Sequence, residues 1–259
     1  MAQHQRRRPN SKKRRRGRHP GLYKAMSTVL ILGAVAAACL IFFRVSQVEV
    51  LGNSRYSAQE IINVAGVKSG DNLFAIRSSR VSWELQSRLP YIRTVSVRRR
   101  LPNTLTIAVT EGQALAAVSG GGSWWLLDED GKILENASTP GGYARISGIT
   151  PLAPAVGTHL AAGEEEEERL ERLRELLGGL EEHGLAQRLD WVNLAEDYRL
   201  TFSLDERFTV HISPTLEKGM GYWLQRLRAA LDRDEVERNP NQRYTVEIMD
   251  DKAVRLIPD

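Results

Sequence analysis

Cysteine and histidine are scarce in this 259-residue sequence. The lone cysteine, Cys39, excludes a disulfide within the chain and a cysteine-based metal cluster. The five histidines are scattered without ligand spacing, so we expect no metal site and no bound cofactor. Serine, histidine and aspartate do not follow the order of a hydrolase with a nucleophile elbow. The composition therefore predicts a protein that is not an enzyme.

Acidic residues are absent from the first 24 positions, which contain ten of the 36 lysines and arginines. The rest of the chain holds more acidic than basic side chains, so only this tail attracts phosphate groups. Its prolines and glycines predict disorder, and its charge favours contact with anionic lipid at the cytoplasmic surface. Non-specific nucleic-acid binding is the alternative, and specific nucleic-acid recognition is not expected. The residues assigned to lipid contact and membrane topology are Arg14, Arg15, Arg16 and Lys24.

Charge of either sign is missing from the next stretch, residues 25–43, which reads AMSTVLILGAVAAACLIFF. A helix of 19 residues matches a hydrocarbon core of about 30 Å. A cleaved signal peptide and a lipoprotein cleaved before Cys39 are alternatives. Cleavage would leave the apolar LIFF on the mature chain, and Ala36 is smaller than a lipoprotein signal normally has. We therefore favour a permanent anchor, and the positive-inside rule places residues 44–259 outside the cytoplasm.

The first unit after the anchor, residues 44–112, has the pattern strand, helix, helix, strand, strand. Ser57 and Glu60 form a capping box at the first helix, and Pro90 ends the second. Leu73 and Phe74 in GDNLFAI are expected to point inward. The strands TVSVRR and TLTIAV alternate and form a hairpin around LPNT. The basic run 98–100 reads either as the solvated end of an edge strand or as a contact with lipid or a partner.

Four sequence stretches in and after this unit carry a family resemblance. They are VEVLGN, GDNLFAI, LPYIRTVSVRRRLPNTLTIAVTE and LLDEDGKIL, and the third, which ends in Glu111, is the most specific. Together with the basic tail and the anchor, they resemble the FtsQ/DivIB cell-division proteins, whose module next to the membrane is a POTRA domain. The sequence departs from the family at Gly112 and Ala114, where arginine and proline are common. The resemblance implies a non-catalytic protein.

The second unit, residues 113–259, is predicted to be a mixed α+β domain. Gly120–Gly122 and residues 128–131 read as hairpin turns, because the glycines lack the Lys-Ser/Thr of a P-loop and the aspartates lack the distant glutamate of an EF-hand. A glutamate-led helix follows, then three strands with Asp205-Glu206 as a turn. Ser213-Pro214 is expected to start a helix whose buried face contains Leu216, Met220, Trp223, Leu224, Leu227 and Leu231. Two strands, residues 244–249 and 253–257, end the chain as a hairpin.

The resemblance implies that this last strand accepts a strand from an FtsB/DivIC partner at the sheet edge. The residues assigned to the partner site are Ala253, Val254, Arg255, Leu256, Ile257, Tyr244, Val246, Ile248, Tyr222 and Trp223, with the last two on the exposed face of the edge. The family often reads D-L-R-Y where residues 247–250 read EIMD. A terminal strand that merely closes the sheet is the alternative.

The expected function is therefore a scaffold in bacterial cell division that crosses the inner membrane once and is enriched at the septum. It is expected to link early and late division proteins by binding FtsB/DivIC and FtsL. Its domains are a cytoplasmic tail (1–24), an anchor (25–43), a POTRA domain (44–112) and a β domain (113–259). The alternatives are an envelope assembly factor that uses its POTRA domain as a chaperone and a membrane-anchored envelope enzyme.

Overall fold

The computed structural model describes residues 20–196, 199–213, 218–232, 241–248 and 254–259. Several residues named above lie outside these stretches: Arg14, Arg15, Arg16, Pro214, Leu216, Met249, Asp250 and Ala253.

A long apolar helix opens the described chain. Helix α1 spans Pro20–Phe42, and its stretch Gly21–Cys39 is long and apolar enough to cross a membrane. This stretch is not buried against the rest of the protein. The predicted helix over residues 25–43 is confirmed, although it begins earlier, so that Lys24 lies within it.

The first unit forms a small three-stranded sheet covered by two helices. Its elements are β1 (Gln47–Leu51), α2 (Ala58–Ala65), α3 (Ser78–Arg88), β2 (Ile92–Arg100) and β3 (Thr104–Glu111). The strand order is β1-β3-β2, with β3 parallel to β1 and antiparallel to β2. The predicted order of helices and strands is confirmed.

Local sequence explains where the first helix of this unit begins and ends. The Ser57 hydroxyl accepts from the Glu60 amide (3.2 Å), as the predicted capping box requires. Gly66 ends the helix in the left-handed conformation, with φ of 65°. Leu73 is fully buried as expected, but the expectation for Phe74 is wrong. Its side chain is 55% exposed, because the ring lies on the outside of the loop.

The second unit is built on a nine-stranded sheet. Its strands are β4 (Ala116–Gly120), β5 (Ser123–Leu127), β6 (Ile133–Ala137), β7 (Ala144–Ser147), β8 (Leu189–Asn193), β9 (Leu200–Leu204), β10 (Phe208–Ile212), β11 (Tyr244–Ile248) and β12 (Arg255–Pro258). The strand order is β12-β11-β10-β9-β8-β7-β4-β5-β6. The strands β12 and β6 therefore lie at its two ends.

Two helices, α4 (Glu167–Glu182) and α5 (Met220–Leu231), pack against each other, and their buried side chains share one apolar core with the large sheet. Gly179 permits their close approach, because an added Cβ would lie 2.6 Å from Leu224 Cδ1. The described part of the second helix begins at Met220 rather than at Ser213, after an extended Gly219. The mixed α+β fold expected from the sequence is confirmed.

The predicted turns of the large sheet are present. Gly121 and Gly122 join β4 to β5 with φ of 61° and 80°, a left-handed conformation that glycine adopts at little steric cost. Asp205 and Glu206 join β9 to β10 with φ of 55° and 53°, the twist that a two-residue hairpin requires.

Candidate functional site

The candidate site is the edge of the large sheet formed by β12. This strand pairs antiparallel with β11, and Leu256 lies opposite Val246. In the described part of the chain, no strand pairs with its other side. The strand observed is Arg255–Pro258, so the expected strand over residues 253–257 is shifted toward the C-terminus, and Val254 precedes it.

Alternation within the ladder shows which backbone groups of β12 face outward. The Asp259 amide donates to the Arg243 carbonyl (3.1 Å). Hydrogen-bonded pairs recur at every second residue of an antiparallel ladder, so the backbone of Ile257 also faces β11. The amide and carbonyl of Leu256 therefore point away from the sheet. Pro258 has no amide to offer on that side.

The side chains beneath this edge are buried and support it. Tyr244, Val246 and Ile248 face the apolar core, with exposed fractions of 7%, 0% and 0%. Trp223 is 1% exposed in the same core, so the expectation that it covers the exposed face of the edge is wrong. The spacing of the helix already placed it on the buried side. The three β11 residues lie beneath the edge strand, and none of the four presents an exposed side chain to another protein.

Tyr222 lies at the rim of the core with two basic neighbours. Its ring packs edge-on against Trp223, with centroids 4.9 Å apart. The Lys218 ammonium and the Arg226 guanidinium donate to its hydroxyl at 3.2 Å and 3.1 Å. These hydrogen bonds, that of Lys218 first, lower the pKa of Tyr222. Of the three aromatic residues assigned to the partner site, Tyr244 and Trp223 are buried, and Tyr222 is the one that is partly exposed.

Arg255 and Ile257 carry the open face of the edge strand. Both side chains are exposed, whereas Leu256 between them packs partly against the core. Across the ladder, Arg255 lies opposite Glu247 and Ile257 opposite Thr245. The edge therefore presents one basic and one apolar side chain next to the outward backbone groups of Leu256.

The opposite end of the sheet, at β6, is covered by the chain itself. The Ile133 amide donates to the Thr158 carbonyl, and the Gly157 amide donates to the Ile133 carbonyl, both at 2.8 Å. The Leu160 amide donates to the Gly131 carbonyl at 2.8 Å. These bonds satisfy backbone groups that an edge strand would otherwise expose.

The first unit also contacts this covered end. The Tyr91 hydroxyl donates to Glu135 on β6 (2.9 Å), and Arg55 pairs with the same carboxylate at 3.3 Å. The Arg55 guanidinium lies 3.7 Å from the centre of the Tyr91 ring. Burial, followed by the hydrogen bond to Glu135, raises the pKa of Tyr91 to about 12. One carboxylate thus joins the two units.

A second group of charges joins the units beside the first. The Lys132 ammonium donates to the carbonyls of Gln86 (3.3 Å) and Ile92 (3.2 Å), and its burial lowers its pKa. Arg93 pairs with Glu129 and, at 3.4 Å, with Asp130. Sequence analysis read residues 128–131 as a turn and missed this joint. Four charges within LLDEDGK were the signal available.

Glu111, at the end of the most specific stretch, has a structural role in the first unit. Its carboxylate accepts from the amides of Arg55 (2.7 Å) and Tyr56 (3.2 Å). Burial raises the pKa of Glu111, but the amides of Arg55, Ser54 and Tyr56 outweigh it and leave the pKa below its ordinary value. The glutamate therefore fixes the loop that carries Arg55 to the joint.

Within the described residues, histidine, cysteine, aspartate and glutamate do not form a group of three or more placed to hold a metal ion. Asp128, which the sequence analysis weighed as a calcium ligand, accepts from the amides of Asp130 (3.0 Å) and Lys132 (2.8 Å). The aspartate therefore organises the β5–β6 turn.

Comparison with known proteins defines the class of the first unit. Residues 43–111 match the family described as POTRA domain, FtsQ-type. The strand order and the two covering helices of this unit agree with the βααββ module expected above. The first unit is thus a POTRA domain.

Curated relatives extend the likeness beyond this domain. The chain is 29% identical over 121 residues to the cell division protein DivIB of Clostridium acetobutylicum, an alignment that covers 46% of this chain and 48% of the relative. It is 30% identical over 132 residues to the cell division protein FtsQ of Corynebacterium glutamicum, covering 49% of this chain and 59% of the relative. The alignments thus span about half the length of these relatives. The resemblance to the FtsQ/DivIB proteins is confirmed.

The solved major extracytoplasmic domain of DivIB from Geobacillus stearothermophilus also aligns with the chain. The alignment covers 51% of this chain and 95% of that domain, at 12% identity and a TM-score of 0.29.

Proposed function

We propose that this protein is a non-catalytic scaffold of the bacterial cell-division machinery that binds an FtsB/DivIC-type partner, together with FtsL, through β12. The FtsQ-type POTRA domain and the names of the curated relatives support the role in division. The observation that carries the partner site is the outward backbone of Leu256 at an edge that no described strand covers. A strand added there gains main-chain hydrogen bonds, and neighbouring side chains supply specificity.

The proposal assigns residues 44–112 and 113–259 to the extracytoplasmic side of the inner membrane. The span Gly21–Cys39 and the excess of basic residues before it support this topology. Enrichment at the septum follows from the proposed role. A reporter enzyme that is active only outside the cytoplasm, fused after Asp259, tests the orientation. Activity is expected, and an inactive but stably produced fusion would reverse the topology.

The partner site is tested by Leu256→Pro in the full chain. The proline removes an outward amide while leaving the inward bonds of Ile257 and Asp259 in place. Co-purification with the FtsB/DivIC-type protein of the same organism should be lost, with an unchanged far-ultraviolet circular dichroism spectrum.

Leu256→Ala is the matched control for this experiment. It removes a similar amount of side-chain packing but keeps the amide. It should therefore retain most of the binding. Equal binding by wild type and Leu256→Pro would refute strand addition at this edge, and equal loss in both variants would assign the binding to the side chain instead.

A further inference from the structure

The POTRA domain is fixed directly to the end of the apolar helix. The Asn72 side-chain amide donates to the Cys39 carbonyl (3.1 Å), in the last turn of α1. The Leu73 amide donates to the Phe43 carbonyl (2.9 Å), and the Val45 amide donates to the Asp71 carbonyl (2.8 Å). These bonds leave no flexible linker between the helix and the domain.

The loop that makes these bonds is held from its other side as well. The Arg99 guanidinium on β2 donates to the carbonyls of Leu73 (2.7 Å) and Ile76 (2.6 Å). The Phe74 ring packs edge-on against Phe43, with centroids 5.2 Å apart. The position of Phe74 relative to α1 is therefore set by the fold.

Strand directions bring a second loop to the same end of the domain. The strands β1 and β3 start there and β2 ends there, because Gln47 lies opposite Thr104 and Thr104 opposite Arg100. The Ser46 amide donates to the Asn103 carbonyl (2.9 Å), which ties the β2–β3 turn to the first residues after the helix. We call this end the basal edge and define it as Arg44, residues 68–77 and residues 98–103.

The basal edge is basic and carries two exposed apolar side chains. It contains six lysines and arginines and a single acidic residue, Asp71. Phe74 is 55% exposed and Leu101 is 56% exposed. Exposed aromatic and aliphatic side chains among arginines match the boundary between lipid headgroups and acyl chains.

The distance between the end of the membrane span and the basal edge determines which layer of the membrane this edge contacts. Cys39 lies four residues before Phe43, or about 6 Å along the helix axis at about 1.5 Å per residue. The headgroup layer outside the hydrocarbon core is about 5–8 Å thick on each side. When the apolar run spans the core, a domain bonded to the Cys39 carbonyl cannot stand clear of this layer.

We infer that the basal edge lies in the phospholipid headgroup layer, with Phe74 and Leu101 at the acyl-chain boundary and the surrounding arginines at the lipid phosphates. This inference rests on the membrane anchor of the proposed function. The lipid contact adds to the grip of α1 and fixes how the POTRA domain is oriented above the membrane. Within the basic run on β2, Arg99 already binds the loop carbonyls and Arg100 pairs with Glu49 (3.6 Å), so the lipid phosphates add to these contacts.

The test uses the full chain in phospholipid nanodiscs, with Cys39→Ala to remove the native thiol. Phe74→Cys carries an environment-sensitive fluorophore, and the nanodiscs contain lipids that bear a spin label at the headgroup. The label at position 74 should lose emission through quenching and shift to shorter wavelength. Leu101→Cys is a second, independent position that should behave in the same way.

Two further positions make the outcome decisive. Leu152→Cys is the matched control, since Leu152 is 59% exposed on the second unit, and its label should not be quenched. Val29→Cys lies within α1 and should be quenched by lipids labelled in the middle of the acyl chain.

Failure of the two proposals gives different patterns. If the label at position 29 is quenched while those at 74 and 101 behave like the label at 152, the headgroup contact is wrong and the anchor stands. If the label at position 29 is not quenched, the anchor itself is wrong.

Discussion

The two ends of the nine-stranded sheet differ in how their backbone groups are used. At the β6 end, residues 157–160 hydrogen-bond to Gly131 and to Ile133 at the start of the strand, and Glu135 binds Tyr91 and Arg55 of the POTRA domain. At the β12 end, no strand among the described residues pairs with the outward groups of Leu256.

This difference shows how one sheet can serve a rigid joint and a binding edge. An uncovered edge strand invites pairing with other chains, so proteins usually block such edges. Here the chain blocks one end with its own loop and its own first domain. At the other end, the described residues that limit pairing include Pro258, which has no amide, and the charged Arg255. Selective partner binding at β12 is consistent with this asymmetry.

The largest effect is expected from opening the apolar core that the large sheet shares with α4 and α5. Trp223→Ala removes the largest fully buried side chain among the described residues and should lower the free energy of unfolding by about 3–5 kcal/mol. Urea unfolding of the full chain in detergent, followed by circular dichroism, measures it. Trp191→Ala, at a residue 36% exposed, should cost less than about 1 kcal/mol. If the two variants lower the free energy of unfolding equally, the buried Trp223 contributes no more to stability than the partly exposed Trp191.

A smaller effect is expected at the covered β6 end. Tyr91→Phe removes the hydrogen bond to Glu135 and should lower the free energy of unfolding by about 1 kcal/mol. Tyr143→Phe, at a tyrosine 38% exposed, is the control and should have no measurable effect. A neutral Tyr91→Phe would show that the joint depends on its other contacts, those of Arg55, Lys132 and Arg93.

The titration of Tyr91 gives the same joint a pH signature. Its pKa rises from 10.0 to about 12, so an unfolded chain ionises this group first. Its contribution to stability is complete below pH 10 and is lost as the pH rises toward 12. Absorbance of tyrosinate should show one ionisation near pH 12 in the wild type that is missing from Tyr91→Phe. An unchanged titration curve would contradict the buried hydrogen bond.

Glu111 beside the joint should show the opposite pH dependence. Its folded-state pKa lies below the ordinary value of 4.5, so its contribution is present above pH 4.5 and is lost as the pH falls through the folded-state pKa. Glu111→Gln should cost less than about 1 kcal/mol at pH 7, and its difference from wild type should shrink in acid. Glu165→Gln, on an exposed glutamate, should be neutral at every pH. A difference that grew in acid would refute the role of the carboxylate.

Local patterns in the sequence were enough to predict most elements. The capping box at Ser57 and the turn at Asp205-Glu206 depend on neighbouring residues only, and both are confirmed. Alternating strands and the glutamate-led start of α4 indicated the order of elements for the same reason.

Features that depend on distant contacts were not predictable in this way. Glu135 meets Tyr91 across 44 residues of chain, and no local pattern signals that meeting. Phe74 lies two residues after Asn72, and the Asn72 side chain binds the Cys39 carbonyl at the end of α1. Because these two residues are 33 positions apart, no local pattern shows where this loop lies. The edge position of β12 depends on the order of nine strands, for which the family resemblance supplied the expectation.

The smallest expected effect comes from restoring an outward backbone amide to β12. Pro258 removes one outward amide from β12, two residues beyond Leu256. Pro258→Val restores this donor and should tighten binding of the FtsB/DivIC-type partner about twofold to threefold, the lower end of what one net hydrogen bond contributes. Titration of the full chain with the purified partner measures the dissociation constant. The gain should vanish when Leu256→Pro is added, because both amides must pair with the same incoming strand. A gain that survives in the double variant would place the partner elsewhere on the protein.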